Sequence, residues 1–174
     1  MALSREAIVR AASGILDDYG LGDLSMRRVA DALGVQAGAL YYHVPNKQSL
    51  LAAVADEILG GMVAAGSLAQ WAAAYRRALL SHRDGAELVA SSLAMGLGEI
   101  DPKRQAPLPS GGDATVLRTL EHFILGSALQ DQTRAQLAAL GLVEGFDADE
   151  AIGAFEEGVA TILRGAGISI ESMA

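Results

Sequence analysis

The hydrophobic residues in the first sixty positions recur at intervals of three and four, which is the period of an α-helix. The pattern predicts four helices, which begin near Ser4, Ser25, Gln36 and Asn46. Gly20 ends the first run, His43 ends the third, and glycines end the fourth between positions 59 and 67. This part of the chain is therefore predicted to be entirely helical.

The rest of the chain keeps the helical period but is interrupted by loops. Helices are predicted over residues 68–82, through Leu88, Ser92 and Met95, over residues 113–140, and after Asp147. Residues 98–112 hold three of the four prolines, so they are predicted to form a long loop. The predicted fold class is all-α.

Two small residues mark a bend between the second and third predicted helices. Ala30 leaves room for a crossing helix, and Gly34 can take the positive φ that a tight turn needs. Val29 and Leu40 are spaced to share a core beneath the bend. The two helices are therefore predicted to form a helix-turn-helix, with residues 36–43 as the helix that enters the major groove of DNA.

The charge distribution around this motif suits a polyanionic partner. No acidic residue lies between Asp31 and Asp56. Residues 1–47 contain five Lys/Arg and five Asp/Glu, so the net charge of −8 comes from the remaining eight Lys/Arg and sixteen Asp/Glu. Side chains suited to phosphate are those of Ser25, Arg27, Arg28, Tyr41 and Lys47, while Gln36 can pair with adenine and His43 can reach a base edge or a phosphate.

The residues of this motif carry a family resemblance. Ser25-Met-Arg-Arg-Val-Ala-Asp-Ala-Leu-Gly-Val, followed by Leu40-Tyr-Tyr-His-Val and Asn46-Lys, resembles the DNA-binding domain of the TetR family of bacterial transcription regulators. The match extends from Ser4 to Leu59. The later segment His122-Phe-Ile-Leu-Gly is similar to the regulatory domain of the tetracycline repressor branch of that family.

The resemblance implies a division of the chain by function. Residues 1–47 are expected to form a three-helix DNA-binding domain with the helix-turn-helix, and residues 48–66 a connecting fourth helix. Residues 67–174 are expected to form a helical ligand-binding and dimerisation domain. An effector bound there is expected to shift the connecting helix and release the operator.

The resemblance also implies which residues contact DNA. The matching positions are Arg27, Gln36, Ala37, Gly38, Ala39, Tyr41, His43 and Lys47. Ser25, Arg28 and Tyr42 complete the predicted DNA-binding residues, although one of the two adjacent tyrosines is expected to pack against the first helix. Because the central Ala-Gly-Ala offers only methyl or backbone contacts, phosphate contacts are expected to carry over while the recognised base sequence differs.

Small residues along the last predicted helix indicate close packing against another helix. They are Ala151, Gly153, Ala154, Gly158 and Thr161. Glycine inside a helix usually marks such an approach, and the expected neighbour is the same helix pair of a second subunit. A two-fold dimer would present two recognition helices to major grooves about 34–36 Å apart, or a multiple of one turn, so a near-palindromic operator in double-stranded DNA is expected.

The C-terminal domain is expected to bind a small, largely apolar effector. The predicted pocket residues are Trp71, Tyr75, Val89, Ser92, Met95, Leu120 and Phe123. In the tetracycline repressor branch a His holds the metal of the inducer, and the matching position here is Val89. No metal and no cofactor are therefore expected.

Two other classes of protein compete with a regulator. Ser81, His82 and Asp84 are residue types of a hydrolase triad, but neighbours on a helix point about 100° apart and cannot converge, so an enzyme is not expected. A helical sensor or adaptor that has lost operator binding is the alternative, since the centre of the recognition helix lacks large side chains.

Composition adds an expected compartment. The chain has no cysteine, which fits a reducing cytoplasm. It also has no leader pattern and no run of about 18 apolar residues, so neither export nor a membrane partner is expected.

Overall fold

The computed structural model of the chain describes residues 3–63, 65–107 and 114–168. The α-helices are α1 (Arg5–Tyr19), α2 (Met26–Leu33), α3 (Ala37–Leu40), α4 (Lys47–Gly60), α5 (Leu68–Leu80), α6 (Gly85–Ala94), α7 (Ala114–Ala139) and α8 (Ala148–Gly165). Short 3-10 helices span Leu21–Asp23 and Pro102–Gln105, and no strand occurs among the described residues. The predicted all-α fold class is confirmed.

Capping residues explain where the helices begin. The side chains of Ser4, Ser25 and Asn46 each accept a hydrogen bond from the backbone N–H three residues later, at the starts of α1, α2 and α4. Asp147 accepts from two backbone N–H groups at the start of α8. These bonds satisfy N–H groups that have no partner inside the helix, which fixes the boundaries that the sequence predicted.

The chain divides into two compact units. The first comprises Met1–Gly61 and Leu79–Ile100, and the second comprises Met62–Ala78 and Asp101–Ala174. This division follows packing, and it assigns α6 to the same unit as the helix-turn-helix. The functional boundaries at residues 47 and 66 stay a prediction.

The first unit packs α1 against α2 and α4, and α4 against α6. The side chains of Ile8, Leu16, Val29 and Leu50 are fully buried in it. Ser13 of α1 is also buried, and its hydroxyl donates to a carboxylate oxygen of Glu57 on α4 at 2.6 Å. Apolar burial supplies most of the stability of such a unit, while the hydrogen bond fixes the register of the two helices.

The second unit packs α7 against α8, and one glycine explains their close approach. Phe123 of α7 stacks on Phe155 of α8 with ring centroids 5.6 Å apart. A Cβ atom at Gly158 would overlap the Phe123 ring. The expectation that a second subunit packs at Gly158 is therefore wrong, because the neighbour of this glycine lies in the same chain. A Cβ at Gly153 meets nothing within 4 Å.

The segment predicted as a loop over residues 98–112 contains regular structure. Pro102–Gln105 forms a 3-10 helix capped by Asp101, whose carboxylate accepts from the Lys103 N–H at 3.0 Å. Proline fits the first turn of a helix because its missing N–H would be unpaired there. Residues 108–113 lie outside the described residues. Within the described ranges, no helix has the length and hydropathy that crossing a bilayer requires.

Candidate DNA-binding interface and effector site

The turn of the helix-turn-helix has the geometry that its residues predict. Gly34 has φ 67° and ψ 30°, a left-handed conformation that glycine adopts at low cost. Its N–H donates to the carbonyl of Asp31 at 3.1 Å, and the Val35 N–H donates to the carbonyl of Ala30 at 3.0 Å. Ala30 is only 1% exposed, so the two helices meet over a methyl group. The roles predicted for Ala30 and Gly34 are confirmed.

The recognition helix is shorter than the predicted 36–43. α3 ends at Leu40, and the N–H groups of His43 and Val44 both donate to the Leu40 carbonyl, which tightens the chain into turns. The physical reason is Pro45, because it has no N–H to donate to the Tyr41 carbonyl and its ring would clash with that carbonyl in a continued helix. Leu40 and Val44 are buried.

The predicted DNA-binding residues all belong to the first unit, and none of them is fully buried. Gln36, Gly38, Ala39, Tyr41, Tyr42, Lys47 and Arg27 are exposed, and Ser25, Arg28, Ala37 and His43 are half-buried. Tyr42 is 90% exposed and points outward, whereas Tyr41 is 50% exposed; the expectation that one of them packs against α1 stays a prediction. The buried side chains of this segment are those of Leu40 and Val44, and both tyrosines are exposed to solvent.

The two arginines of α2 differ in their partners. The Arg27 side chain is 90% exposed, and the ion pair that it forms with Asp31 is long, at 3.9 Å from Nε. The Arg28 guanidinium forms an ion pair with Asp23 and lies 4.0 Å from the centroid of the Tyr19 ring. An ion pair as exposed and as long as the first one is weak, so Arg27 is available for phosphate while Arg28 is largely engaged.

Lys47 is the first residue of α4, next to the cap formed by Asn46. The Asn46 side chain accepts from the Ser49 N–H at 2.8 Å. A helix N-terminus carries partial positive charge, so it adds to the attraction that the lysine ammonium exerts on phosphate. Arg27 and Lys47 are thus two exposed cations that flank α3 along the chain.

Two of the three triad-type residues, His82 and Asp84, serve the scaffold. His82 Nδ1 lies 3.0 Å from a carboxylate oxygen of Asp17 on α1. A carboxylate oxygen of Asp84 accepts from the Leu21 N–H at 2.8 Å. Both side chains therefore join the segment before α6 to the C-terminal end of α1, which is a structural role.

The predicted pocket residues are mostly buried. Trp71, Tyr75, Val89, Ser92 and Leu120 are fully buried, Phe123 is half-buried, and Met95 is 48% exposed. Met95 differs because α6 ends at Ala94, which leaves it at the C-cap. The hydroxyls of Tyr75, in the second unit, and of Ser92, in the first, are buried without a hydrogen-bond partner among the described residues. An unpaired buried hydroxyl costs free energy unless a ligand or water completes it.

Sequence reasoning missed three charged residues of the second unit. Arg76 and Glu121 are only 9% and 7% exposed. Lys103 Nζ donates to a carboxylate oxygen of Glu121 at 2.6 Å, and Arg76 Nη2 to one of Asp131 at 2.7 Å. No local pattern indicates this burial, because each partner comes from a distant part of the chain. No group of His, Asp and Glu that could hold a metal occurs among the described residues.

Among the described residues, an exposed α3 flanked by two cations follows the turn of a helix-turn-helix, which is the arrangement of a DNA-binding protein. The family model described as "Bacterial regulatory proteins, tetR family" matches residues 8–54. The tetracycline repressor protein class A of Escherichia coli is 30% identical, with 94% of this chain and 90% of the relative aligned. The chain belongs to the tetR family of bacterial regulatory proteins, so a regulator is favoured over an enzyme.

Solved structures agree with this membership. Mycobacterium smegmatis BioQ has 35% identity and a TM-score of 0.82, with 95% of this chain and 98% of that chain covered. BioQ with its double-stranded DNA operator has 33% identity and a TM-score of 0.76, over 97% and 100% of the two chains. Streptomyces coelicolor ActR in complex with (S)-DNPA has 28% identity and a TM-score of 0.72, over 97% and 100%.

Proposed function

We propose that this protein is a homodimeric, sequence-specific transcriptional repressor. It binds a near-palindromic operator through α3 and leaves it when a small, largely apolar effector binds the helical regulatory part. The observation that carries the proposal is the exposed surface from Gln36 to Lys47, which follows a rigid turn and contains no acidic residue. The cytoplasm, where the operator lies, is its proposed location.

The division of labour on DNA follows from the chemistry of the exposed groups. Arg27 and Lys47 contact phosphate, because both are exposed and cationic. Gln36 stands at the N-cap of α3 and offers one amide to a base edge, with adenine as its best partner. The family relative BioQ, solved with its operator, supports this use of the surface.

Dimerisation through α7 and α8 is supported by the apolar side chains that these helices and their connection leave in solvent. Leu129, Leu140, Leu142, Val143 and Ile152 are 38–71% exposed in the single chain. Exposure of several large apolar residues on one unit marks an interaction site. Gly153, where a Cβ would meet nothing, is available for close approach by the partner copy.

Effector binding is supported by the unpaired hydroxyl of Tyr75 and by the relative ActR, solved with the small molecule (S)-DNPA. To act as a switch, the effector must favour the released state by about 5.5 kcal/mol if it inverts a 1:99 population. A largely apolar ligand that pairs this hydroxyl can gain such energy from burial and hydrogen bonding.

The test is a gel-shift titration of the full-length protein on the DNA upstream of its own gene, at several salt concentrations. Wild type is expected to bind with an affinity that falls steeply as salt rises. The double variant Arg27→Ala/Lys47→Ala should bind weakly, whereas Arg118→Ala, an exposed arginine of α7, should bind like wild type. If Arg27→Ala/Lys47→Ala bound the DNA as tightly as Arg118→Ala, or if wild type did not bind it, an adaptor without operator binding would be favoured.

A further inference from the structure

The second unit contains a buried phenol without a hydrogen-bond partner. Tyr75 is 0% exposed, and its hydroxyl has no partner among the described residues. Phenylalanine would fill the same space without this cost, so the hydroxyl calls for an explanation other than packing. A polar group that is buried and unpaired in the free protein can be completed by a bound ligand.

Three charged residues of the second unit pair with one another, and their segment contacts Trp71, the ring neighbour of this phenol. Lys103 Nζ lies 2.6 Å from a carboxylate oxygen of Glu121 and 3.4 Å from one of Asp101. Lys103 and Asp101 belong to the 3-10 segment, whose Pro102 carbonyl also accepts from Trp71 Nε1 at 3.0 Å. The segment is thus fastened to both α5 and α7 by polar contacts.

The charges of this cluster leave an excess of one negative unit. Two carboxylates face one ammonium, so the sum is −2 + 1 = −1. Burial, and after it the charges of Glu121 and Asp101, raise the pKa of the Tyr75 phenol far above its ordinary value. Arg76, the next residue on α5, does not offset the excess because it forms a neutral pair with Asp131 through Nη2; its Nε is buried without a hydrogen-bond partner among the described residues, and its guanidinium lies 5.2 Å from the Phe155 ring centroid.

The ring next to the phenol is apolar. The Trp71 and Tyr75 rings lie with centroids 5.7 Å apart and tilted by 50°, and the same unit contains the fully buried apolar side chains of Leu120 and Ile124. A ligand that reaches the phenol must therefore carry an apolar body. Its polar end enters a region of negative potential, where an anion is repelled and a cation is attracted.

We propose that Tyr75 and Glu121 form the polar end of the effector site, and that they select an apolar or aromatic molecule bearing a protonated amine over one bearing a carboxylate. The nitrogen donates to the Tyr75 hydroxyl oxygen and to Glu121, which keeps lone pairs beside the one that Lys103 uses. Its charge brings the cluster from −1 to 0. This inference rests on the proposed function, of which it names the effector class.

The test uses three probes with the same ring system: 2-naphthylmethylammonium, 2-naphthalenemethanol and 2-naphthoate. Their binding to the full-length protein at pH 7 is measured by calorimetry and by the shift in melting temperature. The cation is expected to bind at least about tenfold more tightly than the carboxylate, with the alcohol between them, since one charged hydrogen bond is worth about this factor. A carboxylate that binds as tightly as the cation, or the absence of binding by all three probes, overturns the proposal.

Two substitutions test whether Glu121 and Tyr75 cause the preference for the cation over the carboxylate. Glu121→Gln should remove most of the advantage of the cation, and Glu157→Gln, which changes an exposed carboxylate on α8, should leave it unchanged. Tyr75→Phe covers the case in which Glu121→Gln fails to fold, because it removes only an unpaired hydroxyl, and it should weaken the cation and the alcohol alike. Cation binding that is not weakened by Tyr75→Phe, or a cation preference that survives in folded Glu121→Gln, contradicts the site.

Operator binding by the same preparations separates this inference from the function on which it rests. Unchanged operator binding without a cation preference counts against the effector class alone. A cation preference in protein that binds no operator supports the site and counts against the repressor.

Discussion

The helix-turn-helix surface of the first unit and the interior of the second unit both contain charged side chains. In the first unit these side chains are exposed to solvent, and in the second unit Arg76 and Glu121 are buried. Arg27 is 90% exposed, whereas Arg76 and Glu121 are 9% and 7% exposed. The exposed groups keep their hydration until DNA replaces it, so they cost the fold little. The buried groups lose hydration on folding and need partners within the chain.

This difference decides how each region can be recognised. A surface that reads DNA is identified by the charged side chains that have no strong partner within the protein. The positions of these side chains follow from the geometry of the turn. A buried polar cluster is identified by which groups lack a partner, and Tyr75 is the example. Substitutions in the first region should therefore change DNA binding with little effect on stability, while those in the second should alter stability and ligand binding together.

The largest effect is expected for Gln36→Ala on the exposed surface. Loss of a bidentate hydrogen bond costs about 1–3 kcal/mol per half-site, so a two-fold operator should lose about twice that, and preference should relax at one base pair per half-site. Binding to operator variants measures this.

Lys47→Ala should instead weaken binding to all sequences alike and lower the salt slope by about 1 for each phosphate that is no longer neutralised. Identical preference profiles for the two variants would contradict the assigned roles.

Gly158→Ala in the second unit should lower the free energy of unfolding by about 1–3 kcal/mol, because the new Cβ overlaps the Phe123 ring that is stacked on Phe155. Gly153→Ala is the matched control on the same helix. Its Cβ meets nothing within 4 Å in the chain, so the monomer gains about 0.5–1 kcal/mol of helix stability. Urea unfolding at one protein concentration compares them, and a harmless Gly158→Ala would refute the packing described.

Tyr75→Phe should raise the free energy of unfolding by about 1 kcal/mol, since it removes an unpaired buried hydroxyl. The raised pKa also predicts a pH dependence. The folded state holds the phenolic proton more tightly than the unfolded state, so this contribution is complete below about pH 10 and is lost as the pH rises further. Unfolding free energy between pH 9 and 11 should therefore fall less steeply in Tyr75→Phe; parallel curves would argue against burial of the phenol.

The smallest effects separate the two arginines of α2. Arg27→Ala should reduce the salt slope of operator binding and leave stability within about 0.5 kcal/mol, because the side chain is 90% exposed. Arg28→Ala should cost up to about 1 kcal/mol of stability, because its guanidinium packs on the Tyr19 ring and pairs with Asp23. Melting curves and salt titrations of both variants measure this, and the reverse pattern would reassign the phosphate contact to Arg28.

The features that the sequence predicted correctly depend on neighbours in the chain. Ser25 and Asn46 cap the helices that follow them by accepting from the N–H three residues later, and Gly34 turns the chain through its own positive φ. The features that it predicted wrongly or missed depend on distant residues. Gly158 faces Phe123 of another helix, and the burial of Glu121 depends on Lys103, eighteen positions earlier.

The recognition helix shows an intermediate case. Its start after Gly34 follows from the turn. Its end depends on two opposing features, because the hydrophobic pattern of residues 36–43 favours a longer helix and Pro45 favours a shorter one. The structure places Leu40 and Val44 in the core and ends α3 at Leu40, which leaves Tyr41 and Tyr42 exposed. Both tyrosines consequently belong to the exposed surface of this segment.

The central claim is that two copies of this surface read one operator, and selection of bound sequences from random double-stranded DNA tests it most directly. The account predicts enrichment of a two-fold symmetric sequence, bound by two chains, with half-site centres one helical turn of about 10 base pairs or a multiple of it apart. Enrichment of an asymmetric site bound by a single chain, or no enrichment over the starting pool, would contradict it.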